Sequence, residues 1–176
     1  MPTTPAFTDP RKRLAELKTA ENLVVMTLRL WAEPLRDPEK AHPHWQDGLT
    51  AAGLSNDAAV AFDTVMRVTI AAALRPLDVH RPTCPALGSD EARLLGMIRL
   101  IQQDRHGDAG VLLADWLAMS GVRMALAPLC ILAHALERAG LSLPTPREHA
   151  SDAGRVIDFP QSQRMVGADP GARLVH

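Results

Sequence analysis

The chain has 176 residues, of which 47% are hydrophobic and 22% are charged, and its formal net charge is −1. These values are typical of a single globular domain with a sizeable core. The small net charge provides no basic field for a phosphate backbone, so nucleic acid is excluded as an expected partner. Aromatic residues make up only 3% and tyrosine is absent. The core must therefore be built from Leu, Ala, Val, Ile and Met, which favours an all-α fold.

The two cysteines, Cys84 and Cys130, are too few for a disulfide framework. The N-terminal sequence lacks the apolar run of a signal peptide. The longest uncharged apolar stretch, residues 124–136, is too short to cross a bilayer. We therefore expect a cytoplasmic protein with reduced thiols and no membrane span. Arg outnumbers Lys and Ala is abundant, which is typical of bacteria with GC-rich genomes.

The chain begins with a segment, residues 1–8, that we interpret as a flexible leader, and Asp9–Pro10 is a favourable helix start. The helix that follows is predicted either to run through to Trp31 or to break near Thr19. Pro34 and Asp37–Pro38 are expected to end it. Apolar residues at helical spacing predict its buried face, formed by Leu23, Val24, Met26, Thr27, Leu30 and Trp31.

The next segment is a connector that contains a short predicted helix at residues 43–52, closed by Gly53. A strong helix is predicted after Ser55, and Pro76 is expected to stop it. Its inner face is predicted to consist of Phe62, Val65, Met66, Thr69, Ile70 and Ala73.

Residues 77–88 contain two prolines and a glycine, so they are predicted to form a loop. Ser89 is predicted to cap the helix that follows, with acidic residues in its first turn where they offset the helix dipole. The inner face of this helix is predicted at Leu94, Ile98 and Ile101. Residues 105–108 are expected to be the turn that ends it, with His106 and Gly107 as the stop.

The next helix is predicted to break at Ser120–Gly121, before a last strong helix in which Pro128 predicts a kink or a split. Gly140–Leu141 fits a Schellman stop, with Leu141 folded back on the last turn. The inner stripe of the last helix is predicted to consist of Leu126, Leu129, Cys130, Ala133 and Leu136.

Together these elements predict an all-α fold, an irregular helical bundle of about five to seven helices. Three regions are expected: the leader at residues 1–8, a single helical domain at 9–144 and a disordered tail at 145–176. The tail is rich in Pro, Gly, Ser and Asp, and its apolar residues occur only in pairs.

The candidate cofactor site is the Cys84–Pro85 dipeptide in the predicted loop, with His80 four residues upstream. A thiolate before proline can ligate haem iron, and the histidine could supply a second axial ligand. A nearby helix N-terminus could also lower the pKa of the thiol. The alternative, which we favour, is a helix connector in which the small cysteine side chain tucks under the bundle.

Three other patterns are interpreted as structural. His42 and His44 could bind a metal only if other ligands converged on them, and the motif of di-iron bundles is absent. Cys130 and His134 share one helix face, which suits either two metal ligands or core packing, and we favour packing. Residues 115–126 resemble a helix-turn-helix superficially. The second helix of that pattern is too apolar to read bases, so DNA readout is rejected.

No phosphate loop, nucleophile elbow or metalloprotease motif occurs in the sequence. We therefore expect no catalytic residues and no dedicated metal site. The first function hypothesis is a non-enzymatic bacterial regulatory protein that acts by helix–helix contact with another protein, including itself as a homodimer. The alternatives are a small-ligand, haem or zinc-linked sensor that uses the Cys84 loop, and an accessory subunit of an enzyme complex.

Overall fold

In the computed structural model, which describes residues 13–145, a short 3₁₀-helix at Leu14–Glu16 precedes six α-helices. The predicted all-α fold of five to seven helices is thereby confirmed. The leader, the helix start at Asp9–Pro10 and all but the first residue of the predicted tail fall outside the described residues. The helices are α1 (Thr19–Arg36), α2 (Trp45–Ala51), α3 (Asn56–Ala72), α4 (Ser89–Gln102), α5 (His106–Ala114) and α6 (Met119–Arg138).

Helix α4 is the central element of the bundle, and α1, α5 and α6 pack against it. The predicted inner residues Leu94, Ile98 and Ile101 are buried. Its other sides are buried too, at positions that include Leu95 and Met97. A helix enclosed in this way leaves little surface for charged side chains, so those of its first turn must find partners inside the protein.

Helices α3 and α6 form the most extensive helix pair, with the start of α6 against the end of α3. A Cβ added at Gly121 would lie 2.8 Å from the Cβ of Ala72, so only glycine permits this approach. Backbone hydrogen bonds also join the segment after α3 to the segment before α6. Leu74 N–H donates to the Trp116 carbonyl, and Ala118 N–H donates to the Ala72 carbonyl. Gly121 therefore lies inside α6 and fixes its distance from α3. The predicted helix break at Ser120–Gly121 is wrong.

The connection from α4 to α5 also differs from prediction. Helix α4 ends at Gln102, and Asp104 in the turn that follows is a non-glycine residue with φ of 57°. The amide N–H of Arg105 donates to the Leu100 carbonyl. His106 and Gly107 are therefore not the stop, because they form the first turn of α5. Aspartate tolerates left-handed backbone better than most residues, so it serves here in place of glycine.

Helix α6 runs unbroken through Pro128, whereas the sequence predicted a kink or a split there. Proline cannot donate to the carbonyl of Met124, but Met124 lies on the exposed side of the helix, where water can satisfy that group. The predicted stop is confirmed: Gly140 has φ of 74°, Gly140 N–H donates to Glu137 and Leu141 N–H donates to Leu136. These two bonds are the Schellman pattern.

The buried faces of α1 and α3 are partly different from those predicted. In α3, Ile70 and Ala73 are exposed, whereas the other four predicted residues are buried. In α1, Val24 and Thr27 are buried as predicted, but the other predicted residues are only half-buried. The side chains that replace them in the interior include Val25, Leu28 and the charged residues Glu21 and Arg29.

Arg29 is fully buried and forms a two-pronged ion pair with Glu91, which is also fully buried. Its Nε and Nη2 donate to the two carboxylate oxygens, each at 2.8 Å. The remaining guanidinium hydrogens go to the carbonyls of Arg81, Cys84 and Ala86. One side chain of α1 thus joins α4 to the 73–88 loop, and every polar group of the buried pair has a specific partner.

Asp90, the neighbour of Glu91, is a second buried carboxylate with a full set of donors. Arg75 donates to both of its oxygens at 2.7 Å, and Asp78 N–H and Trp116 Nε1 complete the set. Burial works to raise the pKa of Asp90, but these donors, led by Arg75, outweigh it and hold the pKa below its ordinary value. The ionised carboxylate is therefore the stable form in the folded protein.

Replacement of Arg29 by Met is expected to lower the free energy of unfolding by about 3–5 kcal/mol, because the Glu91 charge would be left buried without its partner. Urea denaturation measures this loss. The matched control is Arg67→Met, which breaks an ion pair to Asp63 on the outside of α3 and is expected to cost at most about 1 kcal/mol. Equal losses in the two variants would contradict the role given to Arg29.

Asp90 predicts a specific response to acid. Since its folded-state pKa lies below the unfolded value, its contribution to stability is present above about pH 4 and is lost as the pH falls through the folded-state pKa. Thermal melts between about pH 5 and 3 are therefore expected to show a falling midpoint, and Asp90→Asn is expected to flatten that fall. Asp57→Asn, at an exposed position in α3, is the control and should leave the slope unchanged.

Candidate functional site

The predicted cofactor residues lie in the 73–88 loop, which connects α3 to α4 and is fastened to the bundle by charged side chains. Besides Arg29, Arg36 of α1 donates to the carbonyls of Val79 and His80. Arg81 of the loop pairs in turn with Glu33 and Asp37. The Arg81 guanidinium, with Lys40, holds the pKa of Asp37 below its ordinary value. These contacts fix the path of the loop although it contains no regular secondary structure.

The structure brings the two predicted residues together: the Sγ of Cys84 lies 3.5 Å from the Nδ1 of His80. The same Nδ1 lies 3.0 Å from the Ala86 carbonyl oxygen, which can only accept, so the hydrogen is on Nδ1. On the other side of the ring, Nε2 lies 3.4 Å from a carboxylate oxygen of Asp78. A thiol, an imidazole and a carboxylate therefore follow one another across the loop.

This arrangement favours a structural role for His80 over haem ligation. Two axial ligands lie on opposite faces of the haem with the iron between them, whereas Sγ and Nδ1 are in contact. A ring nitrogen that carries its hydrogen is also unable to bind a metal, so Nδ1 is not a ligand in this geometry, and Nε2 faces the Asp78 carboxylate. The contacts that the structure gives His80 are therefore contacts within the loop.

The start of α4 uses different residues from those predicted. Ser89 is the first helical residue and not the cap, because its hydroxyl and its N–H both donate to Asp78 Oδ2. Glu91 reaches back to the N–H of Gly88, the residue at the cap position. A Cβ at Gly88 would lie 2.5 Å from the Asp78 carbonyl oxygen, so glycine is required there. Asp78 was missed because it caps a helix eleven residues further along the chain.

The other histidine patterns, interpreted from the sequence as structural, have neighbours of several kinds. His42 contacts the Asp37 carbonyl through Nε2 at 2.8 Å, and His44 stacks on Trp45. Cys130 is half-buried, and burial raises the pKa of its thiol. The ring of His134 lies edge-on to that of His106, with 6.1 Å between the ring centres.

An apolar groove of about 340 Å³ opens between α1, α3 and the first part of the loop. Trp31, Met66 and Leu77 are among the side chains that line it. Two arginines also reach the groove, but Arg36 and Arg75 are engaged by the loop carbonyls and by Asp90. The groove therefore has an apolar lining, and both arginines already have partners within the protein.

Helix α6 also carries an exposed apolar face. Its outer face, defined here as Met124, Ala127, Pro128 and Ile131, is apolar throughout, with Met124 64% exposed and Ile131 49% exposed. Among the described residues, α6 is also the one helix long and apolar enough to cross a membrane, although only 44% of its most apolar window is buried. Length and composition of this kind are shared with core helices of soluble proteins, so they are weak evidence for a span.

The two thiols are expected to differ in reactivity. Cys84 lies on the half-exposed loop beside His80, whereas burial raises the pKa of Cys130 and so reduces its thiolate fraction at neutral pH. A thiol reagent such as dithiobis(nitrobenzoate) should therefore react in two phases. Cys84→Ser should remove the fast phase and Cys130→Ser the slow one, while the opposite assignment would contradict this ranking.

We find no family model, curated protein or solved structure that matches this chain. Function is therefore inferred from the residues and contacts described above.

Proposed function

We propose that this protein is a non-enzymatic regulatory protein that acts by helix–helix contact, and that the outer face of α6 binds a second copy of the chain. The observation that carries the proposal is the exposure of Met124 and Ile131 on a face with no charged residue between them. Contiguous apolar surface of this kind is costly to leave in water and is typical of an interface.

The spacing of the outer face suits an antiparallel pair of α6 helices. Its residues recur at i, i+3, i+4 and i+7, which places them in one stripe along the helix. In an antiparallel pair centred between Ala127 and Pro128, Met124 of each copy faces Ile131 of the other. The small alanine at the centre allows close approach of the two helices.

The charged residues beside the stripe lie outside the paired region. Arg123 and Glu137 are both exposed. In the pair centred between Ala127 and Pro128, Arg123 lies level with Leu132 of the other copy and Glu137 lies beyond the last residue of the stripe, so neither charge has to be buried in the interface. The apolar contacts of the outer face therefore carry the pairing.

A small-ligand sensor is the second candidate, supported by the apolar groove. One wall of the groove is formed by Pro76, Leu77 and Val79, which belong to the loop that carries Cys84. A ligand held there would be apolar, such as a medium-chain aliphatic alcohol, and its binding should change the fluorescence of Trp31. Ala32→Trp, which fills the groove, should abolish this response if the sensor hypothesis is right.

The dimer proposal predicts that Met124→Lys combined with Ile131→Lys gives a monomer, because the charges would have to be buried in the interface. Light scattering across micromolar concentrations measures the mass. The matched control is Val60→Lys, which replaces a 55% exposed apolar residue of α3 beside the Asp63–Arg67 ion pair. This control should leave the dimer intact, and a parent chain that is monomeric throughout the range would refute the proposal.

Lipid vesicles test whether a membrane, and not a second copy of the chain, covers the outer face. Flotation of the parent chain with lipid vesicles, lost on Met124→Lys/Ile131→Lys, would instead identify a membrane as the occupant of the outer face.

A further inference from the structure

Three potential metal ligands converge where the α4–α5 turn meets α6. Asp104 in the turn, His106 at the start of α5 and His134 near the end of α6 each offer one ligand atom, and these atoms all lie within 4.8 Å of one another. Asp104 and His106 are two residues apart, whereas His134 lies 28 residues further along the chain, so the convergence of the three side chains is a product of the fold. Local spacing, which paired His134 with Cys130, gave no indication of it.

One of these ligands also has an incomplete set of hydrogen bonds. The Nε2 of His106 is buried and has no hydrogen-bond partner among the described residues. A buried polar atom without a partner costs about 1–3 kcal/mol, so native proteins rarely leave one unless a water or an ion completes it. The ring of His106 lies beside another imidazole and a carboxylate, which are ligand groups.

The surrounding backbone holds the three residues in place. The left-handed conformation of Asp104 directs the chain from α4 straight into α5, so that His106 follows two residues later. Gln102, the last residue of α4, donates from its amide to the Ala133 carbonyl at 3.2 Å. That bond anchors the end of α4 beside His134. The cluster is therefore formed by backbone that has little freedom to separate.

We propose that Asp104, His106 and His134 bind one divalent transition-metal ion, of which Zn²⁺ is the best match. Two imidazoles and one carboxylate form a nitrogen and oxygen set that suits zinc, whereas Ca²⁺ and Mg²⁺ prefer oxygen ligands alone. At zinc–ligand distances of about 2.0–2.2 Å the ligand atoms would lie roughly 3.4 Å apart. From a present separation of at most 4.8 Å, this requires a contraction of about 1.4 Å or less.

The bound ion would act as a clip between the α4–α5 turn and α6. It would leave a coordination position open to water, since the chain supplies three ligands. Ligands brought together only in the folded state make metal affinity a contribution to stability. The site goes beyond the proposed dimer and does not depend on it, because the binding measurements below report on the metal and not on self-association.

The test uses the full chain after removal of metal with a chelator, titrated with Zn²⁺ alone in a calorimeter and followed by thermal melting. The expected result is one ion per chain with micromolar or tighter affinity and a higher melting temperature, and no response to Mg²⁺. Residues that only hydrogen-bond to a metal's ligands contribute about 10- to 100-fold to metal affinity. Replacement of a ligand itself, in His106→Gln or His134→Gln, should therefore weaken Zn²⁺ binding by at least this factor. His42→Gln and His44→Gln are the matched controls and should bind as the parent does.

Asp104→Asn is the sharpest variant, because asparagine also tolerates left-handed backbone and removes only the negative charge. It should keep the circular dichroism of the parent and weaken Zn²⁺ binding about tenfold or more. Substitution with Co²⁺ then identifies the ligands by absorbance, and a nitrogen and oxygen set gives no thiolate charge-transfer band. Unchanged Zn²⁺ affinity in all three site variants, or a thiolate band lost in Cys130→Ser, would overturn the proposal.

Discussion

The buried ion pair between Arg29 and Glu91 is the interaction on which the arrangement of this protein depends. It connects α1, the central helix α4 and the 73–88 loop through one guanidinium and one carboxylate, both excluded from water. Desolvation of such a pair is costly, and only a complete set of partners repays it. Here the partners are three loop carbonyls and two loop amides, so the loop conformation and the ion pair stabilise each other.

The distribution of polarity is consequently unusual for a small helical domain. Charged side chains occupy the centre, where Asp90, Glu91 and Arg29 are satisfied by specific donors and acceptors. Large apolar side chains lie on the outside of α6, where nothing among residues 13–145 covers them. The central charges fix one internal geometry, and the outer face is the surface on which the proposed dimer depends.

Sequence patterns predicted those parts of the fold that local chemistry determines. Gly140–Leu141 and Gly53 ended helices as expected, because left-handed backbone at those positions requires glycine. The patterns failed where long-range contacts override composition. Arg29 was not among the predicted buried residues of α1, because its carboxylate partner lies 62 residues away in the chain. The same limit applies to the candidate sites. Cys84 and His80 are close in sequence and were therefore selected as a candidate pair, whereas Asp104 and His134 meet only through the fold.

The separation of Arg29 from Glu91 also has a consequence for biosynthesis. Translation at about 5–20 residues per second leaves a gap of roughly 3–12 s between the emergence of the two residues. During this interval α1 has α2 to pack against, but neither its ionic partner nor the central helix α4. The guanidinium of Arg29 therefore stays hydrated until the middle of the chain leaves the ribosome. Its burial then requires the closure of a loop of 62 residues.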